Sequence, residues 1–160
     1  LRFNPDIVVV GEMRGAEANA AQEAARTGVA VLTTIHSNSC EATYRRMVSL
    51  CKRAVDMSDA TLMDYVTEAY PIVVFCKQLE NKQRRMMEIQ ECEILPDGTR
   101  HFRPLFQYVI EENRMEEGNF IIEGHHKQVN TISESLAKRL LENGMPQPII
   151  IALREGVKTA

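Results

Sequence analysis

The sequence predicts an α/β fold: a mainly parallel sheet with flanking helices, extended by an antiparallel β-hairpin and a C-terminal helix. Three observations predict it. Apolar, β-branched runs at Ile7–Val10, Val29–Ile35 and Ile72–Cys76 are continuous rather than alternating, as in strands covered on both faces. Helix-forming segments separate these runs, which is the order of right-handed βαβ crossovers. Later the pattern changes: "RRMMEIQECEIL" and "TRHFRPLFQYVI" flank "PDGT", whose Asp-Gly is a hairpin signal.

Between the first two strands, "GAEANAAQEAARTG" is built of strong helix formers, and Gly28 is placed to stop the helix. Its alanines permit close packing on a sheet. "NSCEATYRRMVSLCKRA" reads as a helix with Asn38 as N-cap and Glu41 three residues on, an Asx form of the capping box. Tyr44, Met47, Val48 and Cys51 form its apolar stripe. A further helix spans Asp59 to Ala69 and is closed by Pro71, because the residue before a proline avoids helical geometry. The third strand joins the parallel sheet, and the hairpin is expected to add to its edge. "EENRMEEGN" reads as a charged loop, and a helix from Asn130 to Glu142 ends at Asn143-Gly144. The tail, "MPQPIIIALREGVKTA", carries an apolar run, Ile149–Leu153. It suits a terminal strand, a docking segment or a surface covered by other chain.

Composition narrows the function classes. With 44% apolar and 26% charged residues over 160 positions, the chain is a globular domain able to bury a substantial core. A net charge of −3 argues against a broadly basic nucleic-acid surface, and the run of Arg45, Arg46, Lys52 and Arg53 reads as a solvated helix face. Cys40, Cys51, Cys76 and Cys92 show no C-x-x-C pairing, which disfavours a zinc site or disulfide framework and suits a reducing cytosolic compartment. His125-His126 would point to opposite faces of a strand and lacks a third ligand at metal spacing, and Met86-Met87 reads as core filler. No run reaches the length of a membrane span. Leu1 stands where an initiating Met would be, so the sequence is expected to be part of a longer protein.

The chemistry concentrates at two strand ends. In open α/β sheets, ligands bind beyond the carboxyl ends of the strands. Gly11-Glu12-Met13-Arg14-Gly15 follows the first strand, and Thr33-Thr34-Ile35-His36-Ser37-Asn38 closes the second. Parallel neighbours would bring a carboxylate, a guanidinium, an imidazole and hydroxyls to one edge, a set suited to phosphoryl chemistry. Alone, each has a plainer reading. Glu12 would face a helix macrodipole, His36 would be a loop or capping histidine, and Arg14 would pair on the surface with Glu17. The combination favours function.

The segment "LRFNPDIVVVGEMRGAEANAAQEAARTGVAVLTTIHSNS" closely resembles the Walker B and histidine-box region of the type II/IV secretion ATPases, in particular the CpaF-type branch, with related members in conjugation machines. Leu1, Arg2, Pro5, Asp6, Gly11, Glu12, Arg14, Thr27, Gly28, Thr34, Ile35, His36, Asn38 and Ser39 fit the family's pattern. The likeness is specific over the first fifty or so residues and looser through "KQLENKQRRMMEIQECE". It implies a partial RecA-like P-loop NTPase fold over residues 1–110, edge hairpin included, with a C-terminal extension over 111–160. It also implies ATP with Mg²⁺ as the nucleotide and metal, and a homohexameric ring. That ring would sit on the cytoplasmic face of a membrane, with inner-membrane secretion or pilus-assembly proteins as partners and no direct nucleic acid. Carried over, Glu12 is the Walker B acid near Mg²⁺, directly or through water, and His36 meets the γ-phosphate. Gly11, Arg14, Thr33 and Thr34 line the nucleotide, and Arg2 serves an interface or salt bridge.

The departure from that pattern is the phosphate loop. No G-x-x-x-x-G-K-[ST] occurs in the 160 residues, so the backbone amides and Lys that cradle β- and γ-phosphates are missing. In the family that loop lies upstream. The chain is therefore expected to be the C-terminal part of such an ATPase domain, binding ATP poorly and hydrolysing none by itself. Ring contacts in such motors join neighbouring subunits' domains, so self-association is expected to be weak too. The competing reading is a non-catalytic RecA-like scaffold or regulatory module. A nucleic-acid motor ranks lower for want of a basic–aromatic stripe.

Overall fold

The computed structural model describes residues 5–156, which fall into two compact units divided between Pro71 and Ile72. In the first, β1 (Ile7–Val10), α1 (Glu17–Arg26), β2 (Ala30–Thr33), α2 (Cys40–Cys51) and α3 (Asp59–Ala69) follow in order. β1 and β2 pair in parallel, Ile7 on Ala30 through Val10 on Thr33. The turn from α1 into β2 uses Gly28 at φ +96°, a conformation a β-carbon resists. Ala18 and Ala21 of α1 are buried, and α1 packs on β2, α2 and α3. Tyr44, Met47, Val48 and Cys51 are buried along α2, as the apolar stripe predicts, together with Leu50, Leu62 and Val66.

Two expectations for this unit are corrected. The N-cap of α2 is Ser39, one residue after Asn38: Ser39 is fully extended and its hydroxyl accepts the Ala42 N–H at 3.1 Å. Glu41 then stands too early in the first turn to close a capping box. Nor are the strands covered on both faces. Ile7, Val9 and Leu32 are 56%, 71% and 61% exposed, because the helices of this unit cover one face only.

The second unit is an antiparallel sheet in the order β3 (Ile72–Gln78), β4 (Arg84–Ile94), β5 (Arg100–Glu116) and β6 (Asn119–Gln128), followed by α4 (Glu134–Glu142) and α5 (Gln147–Glu155). β3 was expected in the parallel sheet, with the hairpin on that sheet's edge. Instead it pairs with β4 across a short turn, where local closure costs little chain entropy. The "PDGT" hairpin forms, with Gly98 at φ +82° and the Leu95 N–H donating to Thr99 O. "EENRMEEGN" is strand and tight turn rather than loop. Arg114 bonds Glu112 (2.9 Å), Glu116 (2.6 Å) and Glu123 (2.7 Å), so the acidic side chains that would repel one another on paired strands are bridged. β5 continues through this stretch to Glu116, with a register shift against β6 between Ile110 and Glu112. His125 and His126 fall on β6, His125 beside Glu111 and His126 Nε2 at 3.0 Å from Met86 O.

α4 starts at Glu134, not Asn130. Asn130 instead ties to β5 by donating to Pro104 O, and Ser133 caps the helix through Leu136 N–H. The tail run is helical, and Ile150 joins Leu105, Ile132, Leu136 and Ala137 in a small core. Glu91 of β4, 1% exposed, accepts the Ser133 N–H at 2.9 Å and bonds the Ser133 hydroxyl. Among the described residues no helix is long and apolar enough to cross a membrane, and no group of three His, Cys, Asp or Glu is arranged to hold a metal ion.

One hydroxyl thus serves the α4 cap and a buried carboxylate together. Ser133→Ala is expected to destabilise the chain by about 2–3 kcal/mol, read from urea unfolding midpoints. A loss under about half a kcal/mol would contradict the assignment.

Candidate functional site

Parallel pairing sends β1 and β2 out of the same edge of their sheet, and one backbone and one side-chain hydrogen bond link the chains past both ends. Met13 N–H donates to Thr34 O at 2.9 Å, and Thr34 Oγ1 donates to Gly11 O at 2.6 Å. Met13 is buried beneath this junction. Its neighbours Glu12 and Arg14 therefore face outward, and the chain after Thr34 carries His36 back toward them.

Glu12 is the centre of the group. Arg14 Nη2 lies 2.5 Å from Oε2, and His36 Nε2 lies 3.1 Å from Oε1. The carboxylate is 27% exposed, the guanidinium 75% and the imidazole 90%. The Arg14 hydrogen bond, outweighing partial desolvation, holds the Glu12 carboxyl below the usual carboxylate range, and the charges of Arg14 and His36 act in the same sense. Arg14 is raised in turn by Glu12. Oε1 is shielded from water, and among the described residues no hydrogen-bond donor is aligned on it, His36 included. An oxygen so placed would suit a hard cation or a metal-bound water, since Mg²⁺ is held by one or two carboxylates with the rest of its shell from water and phosphate.

The plainer reading of Arg14, a surface pair with Glu17, is replaced by a different division of partners. The Arg14 side chain is on Glu12, while Glu17 Oε1 accepts the N–H groups of Arg14 (2.6 Å) and Gly15 (2.8 Å). These amides hold the Glu17 carboxyl below its ordinary range. Arg53, just past α2, donates to Arg14 O at 2.9 Å, a contact that sequence reasoning missed. No signal in the sequence marks it, because the acceptor is a main-chain carbonyl. Thr34 serves to join the two loops, and Thr33 Oγ1 reaches only Thr34 O at 3.4 Å. Gly11 has open space where a β-carbon would stand. Arg2 lies outside the described residues.

The fold is a partial RecA-like one. The VirB11 ATPase from the Brucella suis type IV secretion system, solved with sulphate, superposes with a TM-score of 0.51 at 19% identity, over 55% of this chain and 28% of that one. The chain belongs to the type II/IV secretion system protein family, whose profile matches residues 1–146. Among similar proteins, an uncharacterized protein of Methanocaldococcus jannaschii is 49% identical over 47 residues, 29% of this chain and 17% of its own length. The competence protein ComGA of Streptococcus pneumoniae is 41% identical over 51 residues, 31% of this chain and 16% of that protein. The type IV pilus assembly ATPase PilB of Pseudomonas aeruginosa is 43% identical over 51 residues, 31% of this chain and 9% of that protein. The aligned segments are thus a small part of each relative's length.

Carboxylates held low in the fold bind fewer protons there than in the unfolded chain. What Glu12 and Glu17 contribute to stability is complete above the ordinary carboxylate pKa and is lost as pH falls through their folded values. The urea midpoint is expected to fall between about pH 6 and about pH 3, with a smaller fall in Glu17→Gln. An equal fall in both proteins would contradict the Glu17 assignment.

Proposed function

We propose that this chain is the C-terminal part of the ATPase domain of a secretion or pilus-assembly motor, and that it supplies the acid–histidine half of the nucleotide site. The observation that carries the reading is Glu12, whose Oε1 is buried and undonated while Arg14 and His36 stand at its two oxygens. Bound Mg²⁺ would neutralise charge on the β- and γ-phosphates of ATP, and Glu12 is the residue that would hold it, directly or through water.

This chain's own residues then have separate tasks. The Glu12 carboxylate orients the attacking water by accepting its hydrogen bond. His36 presents an imidazole at the γ-phosphate, where a donor meets developing negative charge. Arg14 neutralises Glu12 at rest and offers a second cation to the phosphates. Thr34 keeps the two loops in register, Gly11 leaves the approach open, and Thr33 borders the nucleotide. Arg2 is assigned to a subunit contact or salt bridge.

The β- and γ-phosphate cradle would come from a phosphate loop that these 160 residues do not contain, and the chain alone is expected to hydrolyse no ATP. The exposed apolar face of Ile7, Val9 and Leu32 supports further chain packing there. The same reading makes the complete protein a homohexamer on the cytoplasmic face of the inner membrane, with secretion or pilus-assembly proteins as partners, in the CpaF-type or a conjugation-related branch. RecA-like ATPase sequence occupies 1–110 and the extension 111–160. The missing loop also suits a second reading, a non-catalytic RecA-like scaffold. A G-x-x-x-x-G-K-[ST] encoded upstream of Leu1 favours the motor, and its absence favours the scaffold.

In the full-length protein, Glu12→Gln is expected to keep ATP binding and lose turnover by about 100-fold or more, and His36→Ala to lose hydrolysis more than affinity. Steady-state phosphate release with nucleotide binding measured alongside reads both. Normal turnover in Glu12→Gln would sink the role given to it.

A further inference from the structure

Three hydrogen bonds converge on the backbone just after Glu12, and none involves the Glu12 carboxylate itself. Glu17 Oε1 accepts from Arg14 N and Gly15 N, and Arg53 Nη1 donates to Arg14 O. Both main-chain polar groups of Arg14 are thereby held by side chains, one from the first turn of α1 and one from the turn after α2. The fit is close. A β-carbon on Gly15 would stand 3.0 Å from Glu17 Oε2, tighter than ordinary contact, so a glycine there leaves room for the carboxylate. Meanwhile the Arg14 side chain is largely in solvent, where a long flexible cation gains little from a single ion pair. Its hold on Glu12 depends on where its backbone is fixed.

We propose that Glu17 and Arg53 are positioning residues for the Glu12–Arg14 pair. They pin the Arg14 main chain from its two sides, so that the guanidinium meets Glu12 Oε2 and Oε1 stays open toward His36. The proposal rests on the reading of Glu12 as the site's acid. It differs from a general stabilising role in one respect. A glutamate that merely faces the α1 macrodipole acts through its charge, whereas a positioning Glu17 acts as an acceptor, which a glutamine amide oxygen can replace.

Steady-state ATP hydrolysis by the full-length protein tests this with Glu17→Ala, Glu17→Gln, Arg53→Met and Glu12→Gln. Glu17→Ala and Arg53→Met are expected to lower kcat about tenfold with KM for ATP within about twofold, because misplacing a catalytic group is costly while binding is carried elsewhere. Glu17→Gln is expected to retain kcat within about threefold. Normal kcat in Glu17→Ala, equal damage in Glu17→Gln, or a loss confined to KM would overturn the proposal. Normal turnover in Glu12→Gln would instead remove the underlying reading, so the two failures are distinct. Amide hydrogen exchange on the 160-residue chain separates positioning from folding. Glu17→Ala should accelerate exchange at Arg14 and Gly15 while core amides such as Leu50 and Val66 are unchanged. Uniform acceleration would assign Glu17 to fold stability and overturn the proposal.

Discussion

The parallel pairing of β1 with β2 is the constraint on which the site depends. An antiparallel pair would send the two chains out at opposite ends, and a shift of one residue would exchange inward and outward side chains along a strand. The observed register, Val10 on Thr33, brings Gly11 and Glu12 beside Thr34 and lets Met13 and Thr34 continue the hydrogen bonding. Because Met13 is buried, Glu12 and Arg14 on either side of it turn outward together. The electrostatics follow from that geometry: one carboxylate, with a guanidinium on one oxygen and an imidazole near the other.

The second unit is held differently. Its sheet is local, each strand pairing with the next across a short turn, and its helical end is fastened by the bond between Glu91 and Ser133 beneath α4. Both units solve the same problem, polar groups at the end of a strand or helix that must find partners. Around Glu12 the partners leave one oxygen without a donor. At Ser133 the helix cap and the buried carboxylate are both satisfied, which is what a purely structural junction requires.

Much of this was legible in the residues. The strands at Ile7 and Val29, the helix ends at Gly28 and Ala69, and the "PDGT" hairpin carry local signals that the fold obeys. Glu12, Arg14 and His36 could be grouped because parallel pairing needs only the order of the strands. Sheet membership was not legible. Ile72–Cys76 has the composition of a covered parallel strand, yet its partner is chosen by loop length and not by composition. The segment 111–119 reads as a charged loop from its composition, and only strand pairing puts Arg114 among three glutamates. Ser39 took the cap from Asn38 by a single residue, a choice made by backbone geometry that composition does not record. The links from Glu17 and Arg53 to the Arg14 backbone were hidden for a related reason: main-chain partners leave no trace in side-chain patterns.

The proposed function makes the group around Glu12 one half of a site. On the proposed reading, Glu12 and His36 are the acid and the histidine of a phosphate site, and residues that would cradle the phosphates are not among the 160. This polypeptide alone should therefore hold nucleotide weakly. Isothermal titration of the 160-residue chain with Mg·ATP tests this most directly. The account predicts little or no heat; saturable, tight binding by this chain alone would contradict it.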